Sequence, residues 1–416
     1  MSKIQALICC ISISLSSVSL AVSADETLTF QQAISLAISR DDPSVAQYRA
    51  QAEGVRANAI ADAQLPDPVI KFGVANIATD SFRFNQEAMT HMQFNMHQSL
   101  PSAAKRRLLR ERGDANSEAY HFMAAKAELE IAKNTGRAWL KLKYFAAART
   151  IIDEKRTRLV EMLDALGAKY ESGRLDAQQI LAMEAELALL EDKLQSLDQE
   201  ASIERAHLER YIGREHADAK ITGSYSDVPL PVPLTMIEES LQDHPDLMQE
   251  KQSIRGSEKS QRIAEESYKP TWGLDLGYGY RAGGRADMAT AMISMDLPIF
   301  TGNRQDKRLF AAKKSKQVAR LKMQAKELDM VRNLRSAYGV WQRAIERIAL
   351  YNTVVLERTK SARIASENAY ASGSADFAEI IRTHLGELDA RLNLQAIELQ
   401  RALAQVELIY YQGNQS

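Results

Sequence analysis

The chain has 416 residues, with 53 lysines and arginines against 54 aspartates and glutamates, a formal net charge of −1. That balance gives no reason to expect nucleic acid as a partner. Both signs of charge are mixed along the chain and not blocked into tails.

The first segment reads as an export signal. Lys3 gives a short positive n-region, Ala6 to Leu20 an apolar and small h-region, and Val22-Ser23-Ala24 a small-residue cleavage site. Cleavage after Ala24 would start the mature chain near Asp25. An uncleaved anchor helix is the alternative, and the shortness of the apolar stretch argues against it. The only two cysteines, Cys9 and Cys10, fall inside the h-region, and Ile8 is not the small residue a lipid-anchor signal needs. The mature chain then has no thiol, which excludes disulfides, zinc-thiolate sites and cysteine nucleophiles. No later run of about eighteen apolar residues exists, so no further membrane-spanning helix is expected.

After a helix ending near Leu65, two segments alternate with period two. Ile70, Phe72 and Val74 face one way, Lys71 and Gly73 the other. The next segment contains MTHMQFNMHQ (Met89 to Gln98), whose methionines and histidines suggest a soft-metal site. Its alternation decides otherwise. Met92, Phe94 and Met96 share one face, and His91, Gln93, Asn95 and His97 share the other, so the histidines and methionines cannot converge on one ion. The weaker alternative is that His91 and His97 form rings by symmetry and touch passing cations.

All ten prolines lie outside residues 102–228 and 299–416. Proline inside a helix costs about 3 kcal/mol, so these stretches permit very long helices. A helix from Ser102 to about Tyr170 would be roughly 100 Å long at about 1.5 Å per residue, too long for an ordinary globular domain. Ile180, Met183, Leu187, Leu190, Leu194, Leu197 and Ala201 then step by threes and fours, as a coiled-coil seam does.

In the second half, TWGLDLGYGYRA places Trp272, Leu274, Leu276, Tyr278 and Tyr280 on one face and Gly273, Asp275, Gly277, Gly279 and Arg281 on the other. MATAMISMDLP opposes Ala289, Ala291, Ile293, Met295 and Leu297 to Thr290, Ser294 and Asp296, with Met292 the one apolar residue on the polar face. RAGGRAD (Arg281 to Asp287) is a natural loop between them. Apolar-out, polar-in segments about ten residues long, aromatic near their ends, are the signature of transmembrane barrel strands. The lipid face is then Phe72, Met92, Phe94, Met96, Trp272, Leu274, Leu276 and Tyr278. The lumen face is Lys71, His91, Gln93, Asn95, His97, Asp275, Thr290 and Ser294. A second seam follows at Ile381, Leu385, Leu388, Leu392, Gln395, Leu399, Ala402 and Val406.

The chain is written twice. KYESGRLDAQQIL (Lys169 to Leu181) returns as AYASGSADFAEII (Ala369 to Ile381), Pro68 as Pro270, and Leu100-Pro101 as Leu297-Pro298. The period is roughly 200 residues. Tyr170, Ser172, Gly173 and Asp176 thus match Tyr370, Ser372, Gly373 and Asp376. In each block the glycine ends one helix. Asp176 with Gln179, and Asp376 with Glu379, form capping boxes that start the next. The expected repeats are 25–228, with a strand pair about 69–100 and a tip at 170–176, and 229–416, with a strand pair about 271–299 and a tip at 370–376. Four strands cannot close a membrane barrel, since single-chain barrels have at least eight. Three symmetric copies would supply twelve.

The duplicated order of helix pair, strand pair, long helix, glycine turn and long helix resembles the TolC family of outer-membrane efflux proteins. DLPIFTGNRQDKR (Asp296 to Arg308) is similar to that family's signature strand end, through Pro298, Phe300, Gly302 and Arg304, and QSLPSAAKRRLLRERG (Gln98 to Gly113) to its first-half counterpart. The strand loops and LPDP (Leu65 to Pro68) look most like its heavy-metal, CzcC-like branch, from whose lipidated cysteine this sequence departs. The resemblance implies a mainly α fold with a small membrane β part, a trimeric twelve-stranded barrel continued by a helical periplasmic tunnel, and a passive duct for efflux, of heavy-metal cations in that branch. It implies an outer-membrane protein reaching into the periplasm. It also implies homotrimers and two partners, a periplasmic adaptor protein docking on the two tips and an inner-membrane pump. Glu379 takes the place of the acidic residue that lines the closed tunnel end, and a purely capping role is the alternative.

No cofactor is implied. An enzyme is not expected, because no P-loop, G-x-S-x-G or H-E-x-x-H motif is present. His121, His207, His216, His244 and His384 are expected on solvated helix faces. Lys105-Arg106-Arg107 reads as a helix-surface or headgroup-level cluster. The rival functions are an exported coiled-coil spacer, which has no use for four alternating strands, and a duct for drugs or secreted protein.

Overall fold

The computed structural model describes residues 27–171, 177–375 and 377–413. The expected export signal, together with Ser172, Gly173, Asp176 and Asp376, lies outside the described residues, as do the side chains of Tyr170 and Gln179.

The first half runs β1 (Thr27–Leu28), α1 (Phe30–Ser39), α2 (Pro43–Asp62), β2 (Val69–Ala75), β3 (His91–Leu100), α3 (Ala103–Glu171) and α4 (Ala177–Ile212). A connector follows with α5 (Arg214–Ala217) and β4 (Lys220–Ile221), whose two residues pair in parallel with β1. The second half runs α6 (Leu234–Ser240), α7 (Pro245–Glu266), β5 (Thr271–Tyr280), β6 (Met288–Asp296), α8 (Gln305–Leu350), α9 (Leu356–Ala371) and α10 (Phe377–Gln412).

Local chemistry sets these boundaries. Thr29 and Gln32 form a capping box at the start of α1. Asp42 caps α2, with Pro43 at its first position. Its carboxylate also takes the two-pronged guanidinium of Arg210, which holds Asp42 well below the usual carboxylate range despite the opposing effect of burial. The helix stops at Asp62, three residues before Leu65. Pro66 biases the residue before it toward extended backbone. The long proline-free run becomes the 69-residue α3.

The duplication extends further than the motifs that revealed it. Asp42-Pro43 opens α2 and His244-Pro245 opens α7, each followed by a strand pair and a long helix. His244 corrects an expectation. It is fully buried, not solvated: its Nδ1 accepts from the Asp246 backbone N–H at 3.2 Å, its Nε2 lies 3.1 Å from the Tyr410 carbonyl oxygen, and its ring meets Tyr410 at 5.1 Å between centroids. An imidazole can cap a helix as a carboxylate does, and no periodic signal marks such a position.

Three cores hold the halves together. In one, Trp139 is wholly buried, donates Nε1–H to the Leu28 carbonyl at 2.9 Å and meets Phe30 edge-on, with Leu208, Ala402 and Val406 around it. A second gathers Ile237, Leu247, Leu334 and Leu408 from α6, α7, α8 and α10. The third joins the two seams: Leu159 and Leu166 of α3, Met183, Leu190, Leu194 and Leu197 of α4, with Ile381, Leu385 and Leu392 of α10 against them. Between α8 and α9 the helix makes a π turn over Tyr351–Val355 that no sequence signal announced. No described helix is long and apolar enough to cross a membrane.

Candidate functional site

Four strands form one antiparallel sheet in the order β2-β3-β5-β6. Its register places the expected faces together. Phe72 stands opposite Phe94, Phe94 opposite Tyr278, Met96 opposite Leu276, and Leu274 opposite Ile293. Trp272 stands opposite both Leu100 and Met295. Met92, opposite Val74 and Tyr280, completes this face, and only Gln98, opposite Leu274, interrupts it. Its large side chains are open to the surroundings: Phe72 is 74% exposed, Ile293 74% and Trp272 49%.

On the reverse face Lys71 stands opposite Asn95, His97 opposite Asp275, and Gly277 opposite both Asn95 and Thr290. Polar contacts cross three strands. The His97 Nδ1–H donates to Asp275 Oδ1 at 2.8 Å, and the Ser294 hydroxyl donates to Asp275 Oδ2 at 3.0 Å. Glycines on β5 make room for this layer. A Cβ at Gly273 would stand 2.4 Å from Ser294 Oγ and 2.8 Å from His97 Cε1, one at Gly277 2.4 Å from Asn95 Oδ1, and one at Gly279 2.8 Å from His91 Cδ2. The alternation of glycine in TWGLDLGYG is therefore a packing signal, missed when those residues are read only as small. His91 Nδ1 lies 2.8 Å from the Met89 carbonyl oxygen, and Gln93 stands opposite Gly73 and Gly279.

Loops join the strands at one end. Gly283 and Gly284 both have positive φ, and Asp287 accepts from the Arg281 backbone N–H at 3.0 Å and from the Tyr278 hydroxyl. Within one chain β2 and β6 are paired on one side only.

At the opposite end of the helices, Gly373 has φ 77° and closes α9 with Tyr370, its N–H donating to the Tyr370 carbonyl at 3.0 Å. Ser372 donates its hydroxyl to the Ala369 carbonyl at 2.9 Å. The expected cap of α10 involves Asp376 and lies outside the described residues. Glu379 is bound by Arg382, with contacts of 2.5–3.0 Å. Above this tip a polar latch ties α9 to α10. Arg363 donates to Glu387 at 2.6 Å and to Glu367 at 2.7 Å, His384 Nε2 lies 2.7 Å from Glu367, and Ser366 shares a 2.6 Å hydrogen bond with Thr383. Burial pushes the Glu367 carboxyl up, but Arg363 and His384 outweigh it and hold it below its usual range. His384 is thus a half-buried bridging group, contrary to the expectation of a solvated position.

Residues 236–414 match the family model described as outer membrane efflux protein. The fold is similar to a solved structure of CusC (TM-score 0.77, 14% identity, covering 93% of this chain and 92% of that one). It is also similar to a membrane protein from Pseudomonas aeruginosa (0.80, 13%, 92% and 92%). A third likeness is to the outer membrane protein VceC from Vibrio cholerae (0.75, 16%, 92% and 96%). No curated protein sequence matches the chain. The second half of the chain thus resembles the outer membrane efflux protein family, and the chain as a whole shares the fold of these solved structures.

Proposed function

We propose that three copies of this chain join their sheets edge to edge into a twelve-stranded barrel, continued by their helices as a tunnel, and that the assembly is the passive outer-membrane duct of a tripartite efflux system. One observation supports this reading above the rest: the four-stranded sheet has two open edges, one exposed apolar face and one polar face. In a bilayer every strand edge must be paired, so the fragment makes physical sense only when other copies complete it. In this reading Phe72, Met92, Phe94, Met96, Trp272, Leu274, Leu276 and Tyr278 meet lipid, and Lys71, His91, Gln93, Asn95, His97, Asp275, Thr290 and Ser294 line the water. The two repeats meet near Val228 and Pro229, whose carbonyls accept from Gln405.

The tips, from Tyr170 to Asp176 and from Tyr370 to Asp376, take the periplasmic adaptor, and an inner-membrane pump supplies the energy. Glu379 lines the tunnel end and helps close it. Heavy-metal cations are the cargo that the resemblance to the CzcC-like branch suggests. The wall carries no group of three or more metal-binding side chains among the described residues, so such a cargo would pass by diffusion.

Planar-bilayer recording of the purified full protein tests this. The reading expects discrete channels, and Glu379→Ala is expected to raise the single-channel conductance. An unchanged trace would leave Glu379 a capping role alone. A complete lack of conductance would contradict the duct.

A further inference from the structure

The two repeats meet inside one chain at a junction whose parts occur twice. At the centre of the sheet β3 pairs with β5, and α3, which follows β3, lies against α7, which leads into β5. The two helices approach closely. A Cβ added at Gly256 of α7 would collide with Asn116 Oδ1 of α3. Lys259 donates to Glu111 at 2.6 Å, Ser102 donates to Glu266 at 3.3 Å, and Lys126 pairs with Asp246 at 3.0 Å. The spacing from Pro43 to Pro245 also separates Asp42 from His244, Gly54 from Gly256, Pro68 from Pro270, and the first residues of α3 and α8, Ala103 and Gln305. By that spacing α2 is the counterpart of α7, and α8 of α3. Gly54 then stands for Gly256, Ala57 for Lys259, Val318 for Asn116 and Leu328 for Lys126. In the single chain these counterparts are uncovered. A Cβ at Gly54 would meet nothing within 4 Å among the described residues, and Ala50, Ala57 and Ala61 on the same helix are exposed. On α8, Phe310 is 61% exposed, Val318 63% and Leu328 73%. Both helices serve the open edges of the sheet: α2 leads into β2, and α8 follows β6.

We propose that α8 of one copy packs along α2 of the next, with Val318 over Gly54, so that the junction α3 and α7 make within a chain is repeated between chains. The inference rests on the trimeric-duct reading and names the surface by which its copies recognise one another. Every neighbouring pair in the sheet is antiparallel, so β2 and β6 run in opposite directions. Pairing β6 of one copy with β2 of its neighbour extends that order and brings α8 beside α2. The partner for the uncovered apolar side chains of α8 is then a helix face of alanines and a glycine, which lets the two backbones come close. The two junctions differ in chemistry. Inside the chain the contacts are ionic, through Lys259 with Glu111 and Lys126 with Asp246. Between chains Ala57 and Leu328 replace the two lysines, which suits a contact made between copies, where the buried centre is more apolar than the surface. Val318 reaches one atom less far than Asn116, so the approach at Gly54 keeps room for a methyl group.

The test is disulfide trapping in the full-length protein, extracted from membranes in mild detergent. Two cysteines bridge only when their Cα atoms lie within about 7 Å, and the chain's own cysteines, Cys9 and Cys10, fall in the expected export signal. On mild oxidation the double variant Gly54→Cys/Val318→Cys should shift from the single-chain position to two-chain and three-chain bands on a non-reducing denaturing gel, and return with reductant. Gly54→Cys alone and Val318→Cys alone should stay at the single-chain position. Asn116→Cys/Gly256→Cys spans the junction within one chain and should lose its free thiols without gaining a chain. Suppose that control closes and native mass spectrometry counts three chains. A Gly54/Val318 pair that still runs as single chains would then overturn the seam while leaving the trimer intact. Cross-linking of either single variant would also overturn it, because the position would then meet its own copy. A wild type that is a single chain in native mass spectrometry would overturn the trimer, and the seam with it.

Discussion

At the scale of residues, the structure turns on polar groups placed where the sequence offers little warning. His244 is the clearest. Its burial pushes the imidazole down, Lys126 and Lys326 act in the same direction, and Asp246 and the Tyr410 carbonyl oppose them without prevailing. A histidine held below its unfolded value of about 6.5 favours the unfolded state once protonation begins. Its contribution is therefore complete above about pH 6.5 and is lost as pH falls below that value. The thermal unfolding midpoint of the wild type should drop between pH 7 and pH 5 by more than that of His244→Asn, which keeps a capping acceptor but cannot titrate. Parallel pH profiles in circular dichroism would count against this role. Periodicity reads faces, and a buried cap at the start of a helix lies on none of them. That is why His244 was invisible in the sequence, whereas His97 and Asp275, on alternating strands, were legible as sharing a face though not as bonded.

At the scale of elements, the strands and seams were readable because each repeats a period. Ile70 to Val74 and Trp272 to Tyr280 announce one exposed and one opposed face, and Leu190, Leu194 and Leu197 announce a buried stripe. Close approaches between helices carry no period. Gly113 sits inside α3, where glycine costs about 1 kcal/mol against alanine, and appears from sequence alone to be a weakness. A Cβ there would stand 2.0 Å from Ala59 Cβ and 3.2 Å from Ala59 Cα, so α2 and α3 meet through it. Gly113→Ala should lower the unfolding free energy by about 1–3 kcal/mol through overpacking. Gly54→Ala in α2, where nothing lies within 4 Å, should be neutral or gain about 0.5–1 kcal/mol. Chemical unfolding of the two variants side by side checks the pair, and equal effects would refute the close-packing account. The π turn at Tyr351–Val355 was equally unannounced, since no proline or glycine marks it.

At the scale of the whole molecule, the helix lengths were legible from the spacing of the prolines, the doubled order of elements from the two glycine-turn blocks, and the resemblance to outer-membrane efflux proteins from a few strand-end residues. What the chain lacks is closure. A sheet with β2 and β6 open and Phe72, Ile293 and Trp272 uncovered is unfinished as a monomer in any solvent. The cost of that exposure selects for assembly, and a threefold ring removes both edges at once. Native mass spectrometry of the full-length protein extracted from membranes in mild detergent measures this most directly. The account predicts an assembly of three chains. A folded single chain, or a dimer, as the predominant species would contradict it.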